Sequence, residues 1–142
     1  EERLRSVSDE LIVTTDDGSY GIKGLVPQPL KAAIGPAEKF DLCCCVGPDI
    51  MMKAVSQATQ LSGLRTLVSL DANMVDATGM CGTCRVTVGG KAKFVCVDGP
   101  EFDAHLVDWD GFLKRQKRFA AEEKKAVEHL ESHHKDCIYR ER

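Results

Sequence analysis

The 142 residues fit one domain of ordinary size, with the composition of a soluble globular protein. With 19 Lys and Arg against 22 Asp and Glu, the net charge of −3 offers no broad attraction to nucleic-acid phosphates or anionic lipid, and no apolar run approaches the ~20 residues a membrane span needs. Nucleic acid and membrane are therefore not expected partners. The first ten residues, EERLRSVSDE, lack a signal peptide's apolar core, and three of the seven cysteines (Cys43, Cys44, Cys45) are consecutive, which suits free or metal-bound thiols in a reducing, cytoplasmic setting. The chain opens without Met in charged, helix-like sequence and is expected to be a piece of something longer.

In chain order, Leu4 and Val7 lie at helical spacing, and residues 11–14 (LIVT) predict a short buried strand. Residues 15–24, TDDGSYGIKG, predict a loop at that strand's C-terminal end. A short helix is expected over residues 25–34, with Pro27 and Pro29 in its first turn and Gly35 and Pro36 ending it. Residues 40–46, FDLCCCV, predict a core strand covered on both faces, with Cys43, Cys44 and Cys45 as core side chains. Gly47 and Pro48 then open a helix with an apolar stripe of Ile50, Met51, Ala54, Val55, Ala58 and Leu61, closed by Gly63 as C-cap. Residues 64–70 form the next strand, so the first half contains a right-handed βαβ unit and the fold class is α/β. Residues 102–109 read as irregular, and a charged helix is expected from Phe112 to about Leu130.

Between these halves lies the stretch MVDATGMCGTCRVTVGGKAKFVCVDGP, residues 74–100, with the spacing Cys81-x2-Cys84-x11-Cys96. Thiolates bind metal where a loop brings them together and aims backbone N–H groups at them. Cys81-Gly82-Thr83-Cys84 is such a loop, and the alternating residues after it, broken by Gly89-Gly90, predict a hairpin that returns Cys96 to Cys84. Asp76 stands five residues before Cys81, so Asp76-x4-Cys81-x2-Cys84 has the spacing of plant-type two-iron sites with a carboxylate in first place. Two other readings remain open on the residues alone: buried structural thiols, and a three-thiolate zinc site completed by Asp76 or His105. Asp103 and His105, just past the site, are candidates for its surroundings. His129, His133 and Cys137 recur every four residues, which is read as a solvated tail.

These residues, together with TDDGSYGIKG and VGPDIMMKAV, resemble the small flavin-containing subunit of NADH-dependent ferredoxin:NADP oxidoreductase, a family also known as sulfide dehydrogenase or ferredoxin–NADP reductase subunit alpha. That family is related to the electron-transfer subunit of dihydroorotate dehydrogenase. The resemblance covers residues 4–118 and implies a [2Fe-2S] cluster on Asp76, Cys81, Cys84 and Cys96. The dihydroorotate relative has Cys in the place of Asp76, which favours the ferredoxin:NADP branch. It further implies NAD(P)H as electron source, FAD held by a domain outside this chain, and a larger flavin and iron–sulfur subunit as partner, with ferredoxin reached indirectly.

The implied architecture is a partial ferredoxin-reductase-like (Rossmann-type) parallel sheet with helices, then a two-stranded cluster-binding hairpin and a C-terminal helix. The expected divisions are 1–71, the C-terminal part of an NAD(P)-binding domain; 72–105, the cluster segment; and 106–142, the helix and tail. In such a sheet, strands absent from this chain would lie between residues 11–14 and residues 40–46. Thr15, Asp16, Asp17 and Gly18, with Gly47 and Pro48, would stand at strand ends where open α/β sheets bind nucleotides. The expected function is electron relay between NAD(P)H and flavin and a partner subunit. The alternatives are service to dihydroorotate dehydrogenase or a hydrogenase, and a zinc-stabilised interaction module.

Overall fold

The computed structural model describes residues 1–35 and 40–133, so Pro36, His133's side chain and Cys137 lie outside the description. The elements are α1 (Glu2–Arg5), β1 (Thr14–Thr15), β2 (Ile22–Lys23), α2 (Pro27–Ala33), β3 (Cys43–Cys45), α3 (Asp49–Ser62) and β4 (Thr66–Ser69). They continue with β5 (Arg85–Val88), β6 (Lys91–Phe94), α4 (Val95–Asp98), β7 (Glu101–Asp103), α5 (Trp109–Gln116), a 3-10 turn (Lys117–Phe119) and α6 (Ala120–His133). Among the described residues no helix is long and apolar enough to cross a membrane.

The α/β class stands, and its centre is the expected β3–α3–β4 unit. β3 and β4 pair in parallel, Cys43 opposite Thr66 and Cys45 opposite Val68. Pro48 is the N-cap of α3, one position before its expected place, and Gly63 closes the helix in the left-handed conformation at φ 68°. The buried stripe of α3 is rotated from the expected one. Met52, Val55, Ser56, Ala58 and Thr59 are buried, whereas Ile50 is 70% and Leu61 89% exposed. Two small hydroxyl residues can face the core because their oxygens are satisfied there: Ser56 Oγ donates to the Ala104 carbonyl at 2.9 Å and Thr59 Oγ1 to the Val55 carbonyl at 3.0 Å.

The partner of Ser56, Ala104, directly follows an element the sequence did not announce. Residues 101–103 form β7, antiparallel to β4 with Val68 opposite Phe102, so the central sheet runs β3-β4-β7. Phe102, Ala104, Val107 and Trp109 are all buried beside Met52, Val55 and Val68 in one continuous apolar core. That core also takes in Cys84, Val86 and Val95 from the segment between β4 and β7. Trp109 and Phe112 meet edge to face at 6.2 Å, and Trp109 Nε1 donates to the Ala104 carbonyl at 3.0 Å.

Three expectations are corrected. Residues 11–14 are not a buried strand: only Thr14 and Thr15 are extended, and they pair with Ile22 and Lys23, while Ile12 is 41% exposed. The loop after Thr15 folds back at once, so Ile22 N–H reaches the Val13 carbonyl at 2.8 Å and the segment pairs with its own return strand. β3 is consequently an edge strand with one free side. Cys45 is buried, and burial pushes its thiol up to about 11, but Cys44 and Val46 face solvent. The charged C-terminal helix is not continuous; it breaks at residues 117–119, and Val127 and Leu130 remain exposed because its acidic and basic centre leaves too little apolar surface to pack.

The rotated stripe predicts unequal effects of truncation on α3. Met52→Ala should lower the unfolding free energy by about 2–5 kcal/mol, and Leu61→Ala should stay within about 0.5 kcal/mol of the parent. Urea denaturation followed by Trp109 fluorescence measures both; the reverse order would mean that the helix faces the core by its Ile50–Leu61 side.

Candidate metal centre

The loop that follows β4 turns back on itself through left-handed residues at Ala77, Gly79 and Gly82. Gly79 is required twice over: its φ is +83°, and a Cβ there would stand 3.1 Å from Val97 Cγ2. Asp76 ties the loop together. One carboxylate oxygen accepts the Thr78 N–H at 2.9 Å and the other the Cys81 N–H at 2.7 Å. The Thr78 amide first, and then that of Cys81, hold the Asp76 carboxyl below the usual carboxylate range.

Cys81 is exposed at the loop end, within hydrogen-bond reach of the Asp76 carboxylate. The neighbouring Thr83 hydroxyl first, and then its amide, draw the Cys81 thiol below the ordinary cysteine value. Cys84 is buried at the start of β5. The Gly89-Gly90 turn, at φ +57° and +74°, sets the antiparallel register of β5 and β6 with Arg85 opposite Phe94. The Val95 amide then donates to the Cys84 carbonyl at 3.2 Å, and α4 carries Cys96 over Cys84. The two sulfurs stand 3.4 Å apart, both as free thiols. The Cys84 thiol raises that of Cys96, while the Gly79 amide donates to the Cys96 sulfur and the Asp76 carboxylate acts on it through space.

The structure thus presents two separate contacts in this segment: the Asp76 carboxylate on the Cys81 amide, and the Cys84 and Cys96 sulfurs 3.4 Å apart. Among the described residues no group of three or more His, Cys, Asp or Glu side chains is placed to hold a metal ion as a set. A tetrahedral zinc site needs three or four donors around one point; a binuclear cluster takes two donors on each metal, together with amide donors aimed at the sulfurs. Three thiols and a carboxylate on one short segment are a donor set whose chemistry fits an iron–sulfur cluster.

Residues the sequence did not single out complete the surroundings. Arg115 of α5 donates from Nη2 to the carbonyls of Thr83 at 3.1 Å and Gly82 at 3.4 Å. Nothing in the run of charges around it marks it out; only the packing of α5 brings it behind the loop. Gln116, next in the chain, donates to the Asp71 carbonyl and to Asp49 Oδ2, which anchors the loop's entry to α3. His105 turns toward α3, its Nε2 3.1 Å from Thr59 Oγ1, and its amide donates to Asp103. His129 lies on α6.

The six nucleotide-site candidates divide. Asp16 and Pro48 line one open cavity of about 350 Å³ with Thr14, Leu25, Val26, Pro27, Ile50, Met51 and Ala54. Gly47 lies behind it, where a Cβ would meet Met51 Cε at 2.5 Å. Thr15, Asp17 and Gly18 build the loop itself: Thr15 Oγ1 donates to the Tyr20 carbonyl at 2.7 Å, and Asp17 Oδ1 accepts the Ser19 amide at 2.9 Å. The apolar walls were detectable in the sequence only as helix residues, and it is their exposure, 60% at Leu25 and 70% at Ile50, that marks them as a surface.

Comparison with known proteins bears on this arrangement. Residues 71–108 match the family model of the iron–sulfur cluster binding domain of dihydroorotate dehydrogenase B. Over 127 residues, 89% of the chain, the sequence is 52% identical to 43% of a protein from the adh 3′ region of Clostridium beijerinckii. It is 48% identical over the same length to 44% of a Thermotoga maritima homolog of the dihydroorotate dehydrogenase B (NAD(+)) electron transfer subunit. Among solved structures, NADH-dependent reduced ferredoxin-NADP oxidoreductase, studied for flavin-based electron bifurcation, superposes with a TM-score of 0.79 at 46% identity, covering 92% of this chain and 46% of that one. The chain spans less than half the length of these relatives. It carries the iron–sulfur cluster binding domain of the dihydroorotate dehydrogenase B electron-transfer subunit family, joined to an α/β segment of ferredoxin-reductase-like fold.

Proposed function

We propose that the chain relays single electrons between an NAD(P)H-reduced flavin and a larger partner subunit, through a [2Fe-2S] cluster on Asp76, Cys81, Cys84 and Cys96. The observation that carries this reading is the approach of the Cys84 and Cys96 sulfurs to 3.4 Å inside the segment that matches the iron–sulfur family model, with Asp76 and Cys81 on the loop just before them. When bound, such a cluster supplies one-electron transfer, which links two-electron flavin chemistry to one-electron carriers.

The chain's own residues supply the cradle. Asp76 and Cys81 would hold one side, and Cys84 and Cys96 the other. The lowered Asp76 carboxyl and Cys81 thiol favour the deprotonated forms that bind metal. The Gly79 and Thr83 amides face the Cys96 and Cys81 sulfurs, where they stabilise negative charge. No side chain here is needed as general acid, base or nucleophile.

In this reading residues 1–71 are the later part of a nucleotide domain, 72–105 the cluster segment and 106–142 the C-terminal helix and tail. The cavity beside Asp16, Gly47 and Pro48 would take the nicotinamide nucleotide, with Thr15, Asp17 and Gly18 shaping the loop at its rim. FAD would be bound outside these residues, as the greater length of the relatives allows. A setting in the reducing cytoplasm keeps the free thiols available. Asp76 in place of a fourth cysteine favours the ferredoxin:NADP branch of the family. The similarity to dihydroorotate dehydrogenase B electron-transfer subunits supports a second reading, in which the acceptor subunit is a dihydroorotate dehydrogenase.

Anaerobically purified intact protein should be coloured and contain iron and inorganic sulfide in equal amounts, and Cys84→Ala should lose both. A colourless protein with stoichiometric zinc would end the cluster reading, and a Cys84→Ala variant with full iron and sulfide would end this ligand assignment. Asp76→Cys should keep the cluster and change its reduction potential, measured by redox titration with electron paramagnetic resonance. In the complex with its partner subunit, electrons from NAD(P)H should reach ferredoxin; turnover with orotate alone would favour the second reading.

A further inference from the structure

Arg115, behind the candidate centre, stands in an electrostatically unbalanced environment. Trp109 and Phe112 bury the inner face of α5, and this brings Arg115 against the Cys81–Cys84 loop, with its charge half withdrawn from water. Its Nε is buried without a hydrogen-bond partner. Among the described residues none of the ion pairs includes it, and its charged neighbours Arg85 and Arg118 have the same sign. A partly desolvated cation without a carboxylate is unfavourable unless something negative lies within reach. What lies within reach is the loop between Cys81 and Cys84, through the carbonyls of Gly82 and Thr83.

The contacts also have a direction. The Gly82 carbonyl accepts from Arg115 at 3.4 Å and from the Arg85 amide at 3.3 Å. Gly82 C=O and Thr83 N–H belong to the same planar trans peptide and point opposite ways. Holding the carbonyl toward Arg115 therefore turns the Thr83 amide away from Arg115, and Cys81 stands two residues before that amide. The second bond, to the Thr83 carbonyl at 3.1 Å, fixes the next peptide in the same manner.

We propose that Arg115 is a positioning residue of the iron–sulfur centre: it fixes the Gly82–Thr83 peptide so that its amide faces the Cys81 sulfur, and its charge favours the reduced state. This rests on the cluster reading above. A cluster on three thiolates and a carboxylate is net negative and gains one further unit of negative charge on reduction, so a nearby desolvated cation stabilises the reduced form more than the oxidised one. The neutral peptide dipoles aligned by Arg115 act in the same sense.

The test uses the intact protein, reconstituted anaerobically with iron and sulfide, and compares the parent with Arg115→Met and Arg115→Lys. The readouts are iron and sulfide content, visible circular dichroism and the one-electron midpoint potential. Arg115→Met should shift the potential negative, raising the oxidised-to-reduced ratio at a fixed potential by on the order of tenfold, about 59 mV for one electron. Arg115→Lys keeps the charge but cannot span two carbonyls as the guanidinium does, so it should recover part of the potential without the parent's dichroism. Should Arg115→Met fail to hold a cluster, Arg115→Gln, which keeps a donor without the charge, takes its place and should show the same negative shift. A potential and dichroism equal to the parent's in the loaded uncharged variant would overturn the inference, as would equal shifts in the charged and uncharged variants. A parent protein that assembles no cluster would instead overturn the reading on which it rests.

Discussion

Two glycines in the left-handed conformation close the β5–β6 hairpin, and the register they impose, Arg85 opposite Phe94, brings Cys84 and Cys96 side by side although eleven residues separate them in sequence. Side chains alternate across a ladder, so a slip of one residue would turn Val86 out of the core and part the two sulfurs. Val86 and Val95 are each 1% exposed, and their burial holds this register in place. The metal chemistry of the chain thus depends on an ordinary packing constraint.

That constraint is passed to the rest of the molecule through β7 and α5. After the hairpin the chain returns to add β7 to the edge of β4, then sends Trp109 and Phe112 into the core that α3 shares with the sheet. The cluster segment is in this way clamped between two parts of one core. Lys53 and Asp110 reinforce the α3–α5 contact at 2.6 Å, but with Asp110 largely in water such a pair contributes about 0–1 kcal/mol; the buried apolar side chains carry most of the attachment.

The opposite edge of the sheet is different in character. β3 carries three cysteines and is flanked by Phe40, Leu42 and Val46, all substantially exposed, while residues 14–15 pair only with their own return strand. The asymmetry is functional in the proposed reading: the metal side is completed by the chain itself, and the nucleotide side is open.

Several features were legible from the residues alone because they depend on local chemistry. Gly63 as a C-cap, Pro48 at the start of α3, the Gly89-Gly90 turn and the Asp76-x4-Cys81-x2-Cys84 spacing all state their meaning within a few residues, since backbone dihedrals and short loops are set by neighbours in sequence. The face of α3 was misread because Ser56 and Thr59 are polar by composition, yet are buried once Ala104 and the helix's own carbonyls accept their protons. β7 was missed because a three-residue strand has no periodicity to detect, and only β4 makes it one. Arg115 had no signal, being one cation in a charged helix until folding aimed it at two carbonyls. The sequence by itself determined the candidate donors, their order and the turns that present them. Only the tertiary structure decided which donors pair, which helix face is buried and which charge stands behind the loop, because those depend on distances between elements far apart in the chain.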